Sequence, residues 1–289
     1  MARMEISLCN EVLRDFGFER QCELAAALGY DGLEIAPFTL SEEPHRLSPV
    51  RRMDVRRTAE RAGLRITGLH WLLLTPLGLS ITSADRAVWQ RTVEVLEGLV
   101  ELCADLGGSV LVHGSPKQRL IGPDQDRTEA ERRAEECFSR VSAKAGEWRV
   151  VYCIEPLAPA ETNYINRLAE AAELVARVGN PYFRTMIDAK AAAATESLPV
   201  QELCAKWIPQ GLIGHIHVND RNLRAPGQGT DRFLPLFEAL RRLEYHGVVG
   251  VEPFDYFPDG LTAAARAIGY LRGIEEGLEA GATSTRETR

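Results

Sequence analysis

Four short apolar runs, each ending in a side chain able to bind a metal, most constrain what this chain can fold into. They are Val150-Val151-Tyr152-Cys153-Ile154-Glu155, Phe183-Arg184-Thr185-Met186-Ile187-Asp188, Leu212-Ile213-Gly214-His215-Ile216-His217 and Val248-Val249-Gly250-Val251-Glu252. Such a run reads as a parallel strand covered on both faces, with a carboxylate or imidazole at its C-terminal end. The tips Glu155, Asp188, His217 and Glu252 follow one another at intervals of 33, 29 and 35 residues. Each interval has room for one strand, one helix and two loops, the content of a βαβ crossover. In a closed barrel of parallel strands all four tips open onto one face. Three carboxylates and an imidazole meeting there would repel one another unless a cation lay between them.

The rest of the chain keeps the same rhythm. Met4 to Cys9 reads as a strand, Phe18 to Leu28 as a helix stopped by Gly29, and Gly32 to Ala36 as a second strand. Ser48-Pro49 opens a helix to about Ala62, and Leu64 to Leu69 is the third strand. Ser83 is the expected cap of a helix from about Ala84 to Leu106, followed by the strand Val110 to Val112 and a helix capped by Thr128 to about Ala145. Further helices are expected up to Val178, over Leu198 to Ile208, from Asp231 to Leu243, and from about Gly260 to Gly277. Ala280 to Arg289 is small, polar and charged, and is expected to fray.

Eight strand-plus-helix units without a linker predict one (β/α)8 TIM-barrel domain over residues 1–289. A doubly wound open sheet is the alternative. An open sheet gathers its functional groups at one switch point, whereas here nearly every strand ends in polar residues, as at a barrel's active face. There is no GxGxxG after the first strand and no Walker loop, so nucleotide-binding readings drop out.

A net charge of −7 disfavours a nucleic-acid backbone as partner. The six cysteines are scattered with no CxxC pair, which points to reduced core residues and away from a thiolate zinc site. No signal-like segment or bilayer-length apolar run is present, so a cytoplasmic protein with no membrane partner is expected.

His215 and His217 are two apart on one strand and share a face, with His217 nearer the tip as ligand and His215 as a supporting or substrate group. Taken alone, the pair reads more readily as satisfied core histidines, and the three matching carboxylates reverse that preference. Salt bridges are the alternative for the three carboxylates, but Lys117 and Lys190 are too few to neutralise them. Oxygen ligands with one imidazole suit Mn²⁺, with Mg²⁺ or Co²⁺ as substitutes. Further substrate-binding candidates are Glu161 in the loop after Glu155, His70 and Trp71 as a wall with one hydrogen bond for a sugar ring, His113, Lys117 as an anion binder, Lys190 and Arg224. The bland readings are a solvated loop glutamate, aromatic core packing and a surface lysine.

At Ile154-Glu155-Pro156, Ile187-Asp188, Gly214-His215-Ile216-His217 and Val251-Glu252 the chain resembles the sugar-phosphate isomerase/epimerase family, xylose-isomerase-like TIM barrels related to D-tagatose 3-epimerase. The resemblance runs to about Arg272. It implies one divalent ion held by Glu155, Asp188, His217 and Glu252, with Glu155 and Glu252 doubling as acid and base. A family loop glutamate falls on Glu161. Two positions depart: a substrate histidine is replaced by Ala191, beside Lys190, and a substrate arginine by Leu223, beside Arg224. The implied function is a metal-dependent isomerase or epimerase acting on a keto sugar or keto-polyol through an enediolate. Barrels of this resemblance often pair, so a homo-oligomer is admitted. A dehydratase or lyase on the same site is the rival; an endonuclease-IV-like enzyme and a non-catalytic sugar-binding barrel are the remoter ones.

Overall fold

The computed structural model describes the backbone of residues 3–287 and the side chains of residues 3–281. Eight strands, β1 (Ile6–Cys9), β2 (Gly32–Ile35), β3 (Arg65–Leu69), β4 (Val110–His113), β5 (Val151–Ile154), β6 (Phe183–Asp188), β7 (Ile213–Val218) and β8 (Val249–Val251), pair in sequence order, all parallel. β1 also pairs with β8, and the sheet closes. The expected (β/α)8 barrel is the fold.

Helices α1 (Phe18–Leu28), α2 (Pro49–Arg61), α3 (Arg86–Leu106), α4 (Arg127–Trp148), α5 (Leu168–Val178), α6 (Ala189–Thr195), α7 (Val200–Trp207), α8 (Leu234–Arg242) and α9 (Gly260–Glu287) connect the strands. α3 shows why the layer holds. Trp89, Val93, Leu96, Val100 and Cys103 recur at helical spacing and are fully buried, each such residue contributing about 1.5–3 kcal/mol. Inside the barrel a small plug of Val110, Val112, Cys153 and Met186 fills the space below the active face.

Several boundaries differ from expectation. Asp85, not Ser83, caps α3, its Oδ1 accepting from Ala87 N at 2.8 Å; Ser83 Oγ instead accepts from Asp85 N. Asp126, not Thr128, caps α4. α8 starts at Leu234, three residues after the expected Asp231, whose carboxylate pairs with Arg221. The alanine-rich α6 was not expected. The last helix continues past Gly277 to Glu287, so the expected frayed tail is helical up to there; residues 288 and 289 lie outside the described residues. All six cysteines are free and buried. Among the described residues no helix is long and apolar enough to cross a membrane.

One irregularity positions the site. Between Thr185–Ile213 and Met186–His215 the β6–β7 register slips by one residue, leaving Gly214 extra on β7. A Cβ on Gly214 would lie 2.6 Å from Cys153 Sγ and 2.9 Å from Val151 Cγ1. Only glycine fits the bulge from which His215 and His217 both reach inward.

Candidate metal centre and active site

Glu155, Asp188, His217 and Glu252 come from the ends of β5, β6, β7 and β8. Each offers one ligand atom, and these atoms all lie within 4.8 Å of one another. All four side chains are buried. Asp188 also caps α6, with Oδ1 accepting from Ala191 N at 2.6 Å, while Asn219 Nδ2 donates to Oδ2 at 2.7 Å and to the Glu252 carbonyl at 3.0 Å. Both carboxylate oxygens of Asp188 are therefore held by this chain before any ligand is considered.

The charges are far from their solution behaviour. Burial pushes Glu155 well above the usual carboxylate range, and Glu252 and Asp188 beside it push it further. Asp188 is raised by burial and by Glu252. Burial would raise Glu252 too, but the His217 and His70 imidazoles outweigh it and hold Glu252 low. Burial would lower His217, yet Glu252 and Glu34 keep its imidazole protonated well above its usual range.

Two atoms test whether an ion fits. His217 Nδ1 and Glu252 Oε2 lie 2.9 Å apart as a buried ion pair, and neither meets a hydrogen-bond geometry with any other group. Both lone-pair-bearing atoms therefore face the cluster and are free to turn to a shared cation. Three carboxylates and one imidazole are also the donor chemistry of a hard divalent ion. The residues fit a metal.

Beneath the cluster lies a second layer that sequence reasoning missed. Glu34 of β2, fully buried, accepts from His215 Nε2 at 2.8 Å and His217 Nε2 at 3.0 Å. Burial opposes its charge, but the two imidazoles hold it well below its usual range. Glu11 pairs with His70 Nε2 at 2.9 Å; burial works against the His70 charge, and Glu11 overcomes it, raising the imidazole to about 9. Arg119, fully buried, donates to the Glu155 carbonyl at 2.6 Å, supplying a cation where only Lys117 and Lys190 were expected. The signal for Glu34 was legible: a carboxylate within the apolar run Gly32-Leu33-Glu34-Ile35-Ala36 is as anomalous as those at the four tips.

Above the ion cluster opens a cavity of about 410 Å³, lined in part by Glu155, Glu252, Trp71, Lys117, Lys190 and Glu161. Trp71 Nε1 donates to Glu252 Oε1 at 3.0 Å from a backbone at φ +51°, an uncommon conformation for a bulky residue. Lys190 Nζ bonds Glu161 Oε1 at 2.9 Å and lies 4.6 Å from the centre of the Phe254 ring, so Glu161, though exposed, is paired.

Four expected substrate groups do not line the cavity. His113 is at a strand tip but on the outward-facing side: its Nδ1 meets the Tyr152 hydroxyl at 2.6 Å and its ring packs on Phe138 of α4. Strand alternation puts Val112 inside and His113 outside. His70 and His215 point inward but sit below the floor, bound by Glu11 and Glu34. Arg224 turns away to Asp255 at 2.8 Å and stacks on Phe257, and the neighbouring Leu223 takes the place in the wall.

Comparison with known proteins agrees with this architecture. Residues 22–274 match the family described as xylose isomerase-like TIM barrel. A probable ketose 3-epimerase of Synechocystis sp. is 24% identical over 243 residues, 82% of this chain and 79% of that one. A D-psicose 3-epimerase of Agrobacterium fabrum is 26% identical over 239 residues, covering 80% and 78%. The crystal structure of a 3-keto-D-glucoside 4-epimerase from E. coli superposes with a TM-score of 0.80 at 20% identity, covering 94% of this chain and all of that one. With most of its length matched by the family profile, this chain belongs to the xylose isomerase-like TIM-barrel family.

Proposed function

We propose that the protein is a divalent-metal-dependent epimerase or isomerase of a keto sugar, with Glu155 and Glu252 as its acid/base pair. The observation that carries this reading is the meeting of Glu155, Asp188, His217 and Glu252 within 4.8 Å under a cavity that both glutamates line. Curated relatives named ketose 3-epimerase and D-psicose 3-epimerase support the substrate class.

These four residues would hold Mn²⁺, Mg²⁺ or Co²⁺, and such an ion, when bound, supplies Lewis-acid polarisation of the substrate's keto oxygen. The chain's own part is proton transfer. One glutamate takes the proton from the carbon next to the carbonyl and becomes a carboxylic acid. The other returns a proton to the same carbon from the opposite face, inverting it, or to the former carbonyl carbon, in which case the hydroxyl proton of the first carbon passes to the former keto oxygen and the carbonyl moves. Trp71 fixes one oxygen of Glu252, and Arg119 fixes the backbone of Glu155, so the two groups are held across the cavity floor. The aromatic faces of Trp71 and Phe254, with centroids 6.2 Å apart and planes inclined by 29°, help to exclude water.

The test is solvent-deuterium incorporation. Protein treated with chelator and reloaded with Mn²⁺ is incubated in D₂O with a panel of ketoses, and wild type is expected to label the carbon next to the carbonyl. Glu155→Gln and Glu252→Gln should fold and lose at least 10²-fold of the exchange rate, in keeping with loss of a general acid or base. Near-normal exchange in both variants would overturn the assignment.

A further inference from the structure

Part of the cavity wall is apolar. Leu74 follows β3, Leu157 follows β5, Leu223 follows β7 and Phe254 follows β8; the four line one cavity. Leu74 and Leu223 are 36% and 44% exposed, unusual for leucines at a polar active face, and Leu77 in the same loop as Leu74 is 79% exposed. On this side of the cavity Lys190 is committed to Glu161, and Arg224 is turned out of the wall to Asp255, while Lys117 and Gln118 line the opposite, β4 side.

Leu223 is held in place. Its carbonyl accepts from Phe254 N at 2.7 Å and Asp255 N at 2.8 Å, and its own N–H donates to the Asp220 carbonyl at 2.8 Å. The backbone there sits at φ +71°, a conformation that side-chain-bearing residues rarely adopt. The loop thus accepts strain to turn a leucine inward and the adjacent arginine outward. Strain of this kind, kept by surrounding hydrogen bonds, is characteristic of ligand-contacting positions.

A free ketose carries a hydroxyl on every carbon beyond the carbonyl. Buried against Leu74, Leu157, Leu223 and Phe254, those hydroxyls would lose water without gaining partners, which weakens binding. An apolar group gains affinity on the same surface. The volume of about 410 Å³ also lies within the range of ~300–1,000 Å³ typical for ligands of drug size.

We propose that the substrate is a keto sugar bearing an apolar substituent, a keto-glycoside whose aryl or alkyl aglycone lies among Leu74, Leu157, Leu223 and Phe254. The sugar half of this statement rests on the function proposed above; the apolar subsite rests on the wall itself.

The test compares phenyl and methyl 3-keto-β-D-glucopyranosides on the Mn²⁺-loaded enzyme, with Kd by calorimetry and deuterium exchange by NMR. The phenyl glycoside is expected to bind at least tenfold more tightly. In Leu223→Ser, and separately in Leu74→Ser on a different loop, that preference should fall at least threefold, with circular dichroism confirming the fold. Equal affinity for the two probes, or an undiminished preference in both variants, would overturn the subsite. The two proposals fail separately. If free ketoses exchange deuterium but phenyl brings no advantage, the subsite is wrong and the epimerase reading stands. If phenyl binds preferentially but neither probe nor any ketose exchanges, the subsite stands and the enolising chemistry is wrong.

Discussion

Glu34 accepts a hydrogen bond from His217 Nε2 at 3.0 Å, and that contact determines which nitrogen of the imidazole faces the ion cluster. A carboxylate can only accept, so the Nε2 proton points at Glu34 and Nδ1 is left facing Glu252 Oε2 at 2.9 Å. Carboxylates behind ligating histidines fix tautomer and orientation in this way, and removing one typically costs 10- to 100-fold in metal affinity. Glu34→Gln is therefore expected to weaken Mn²⁺ binding by about that factor, measured by competition with a chromogenic chelator. Unchanged affinity would mean that the imidazole is oriented by packing alone.

The carboxylate of Glu155 is crowded by Glu252 and Asp188, and burial with that crowding favours its protonated form. Glutamine is close in shape to a protonated glutamate. In chelator-treated protein, Glu155→Gln should leave urea stability within about 0.5 kcal/mol of wild type or raise it, although most buried substitutions destabilise. On adding Mn²⁺ the order should reverse, because a ligand at 100 times its Kd stabilises wild type by about 2.7 kcal/mol and the variant has lost one donor.

Much of the fold could be read from the chain, and the reasons are local. α1 was legible to the residue because Phe18, Cys22, Ala25 and Leu28 repeat at helical spacing and Gly29 at φ +95° ends it. The cap of α3 was not, because Ser83 and Asp85 are both good caps two residues apart and the choice depends on where the helix docks. α6 escaped notice because five alanines in seven residues carry no amphipathic pattern, and its cap, Asp188, had already been assigned to a strand tip. The direction of His113 was hidden for a different reason. Strands apolar on both faces do not show which parity points inward, so a histidine at a tip reads the same whether it faces the cavity or α4. Leu223 and Arg224 are likewise adjacent, and only the loop's turn at φ +71° decides which of them enters the wall.

The placement of His113 has a consequence for acid stability. Burial lowers its pKa to about 3, with Arg119 adding to the effect, against about 6.5 for an unfolded histidine. Between those values the unfolded chain takes up a proton that the folded chain refuses. Stability contributed by this site is therefore fully present above pH 6.5 and is lost as pH falls, by about 1.4 kcal/mol per pH unit. His113→Gln retains an acceptor for the Tyr152 hydroxyl and cannot titrate. Urea unfolding from pH 7 to 4.5 should show a slope shallower by up to one proton in the variant; identical slopes would mean that His113 titrates normally in the fold.

The bulge at Gly214 makes a packing prediction. A methyl group there would meet Cys153 Sγ at 2.6 Å and Val151 Cγ1 at 2.9 Å, both in the closed interior of the barrel. Overpacking of this sort costs about 1–3 kcal/mol, so Gly214→Ala should lower the melting temperature by about 2–8 °C in a protein of this size. Adding Cys153→Ala removes the nearer clash, and the double variant should recover part of the loss, a coupling expected only of residues in contact. Simple additivity of the two substitutions would show that the strand shifts instead of straining.

Metal uptake should release protons, and the charge pattern says in which direction pH acts. Before an ion is added, His217 is held protonated by Glu252 and Glu34, and Glu155 by burial and its neighbours. An ion needs the lone pairs of both groups, so binding near neutral pH should expel about two protons. Apparent affinity then rises with pH, by about tenfold per pH unit for each proton displaced, and weakens as the solution is acidified. Calorimetric titration of chelator-treated protein with Mn²⁺, repeated in buffers of different ionisation enthalpy, counts the protons directly. Glu155→Gln should lower the count by about one, since glutamine carries no proton to displace. A count near zero in wild type would mean that His217 and Glu155 are already deprotonated near neutral pH, and that their neighbours do not hold those protons.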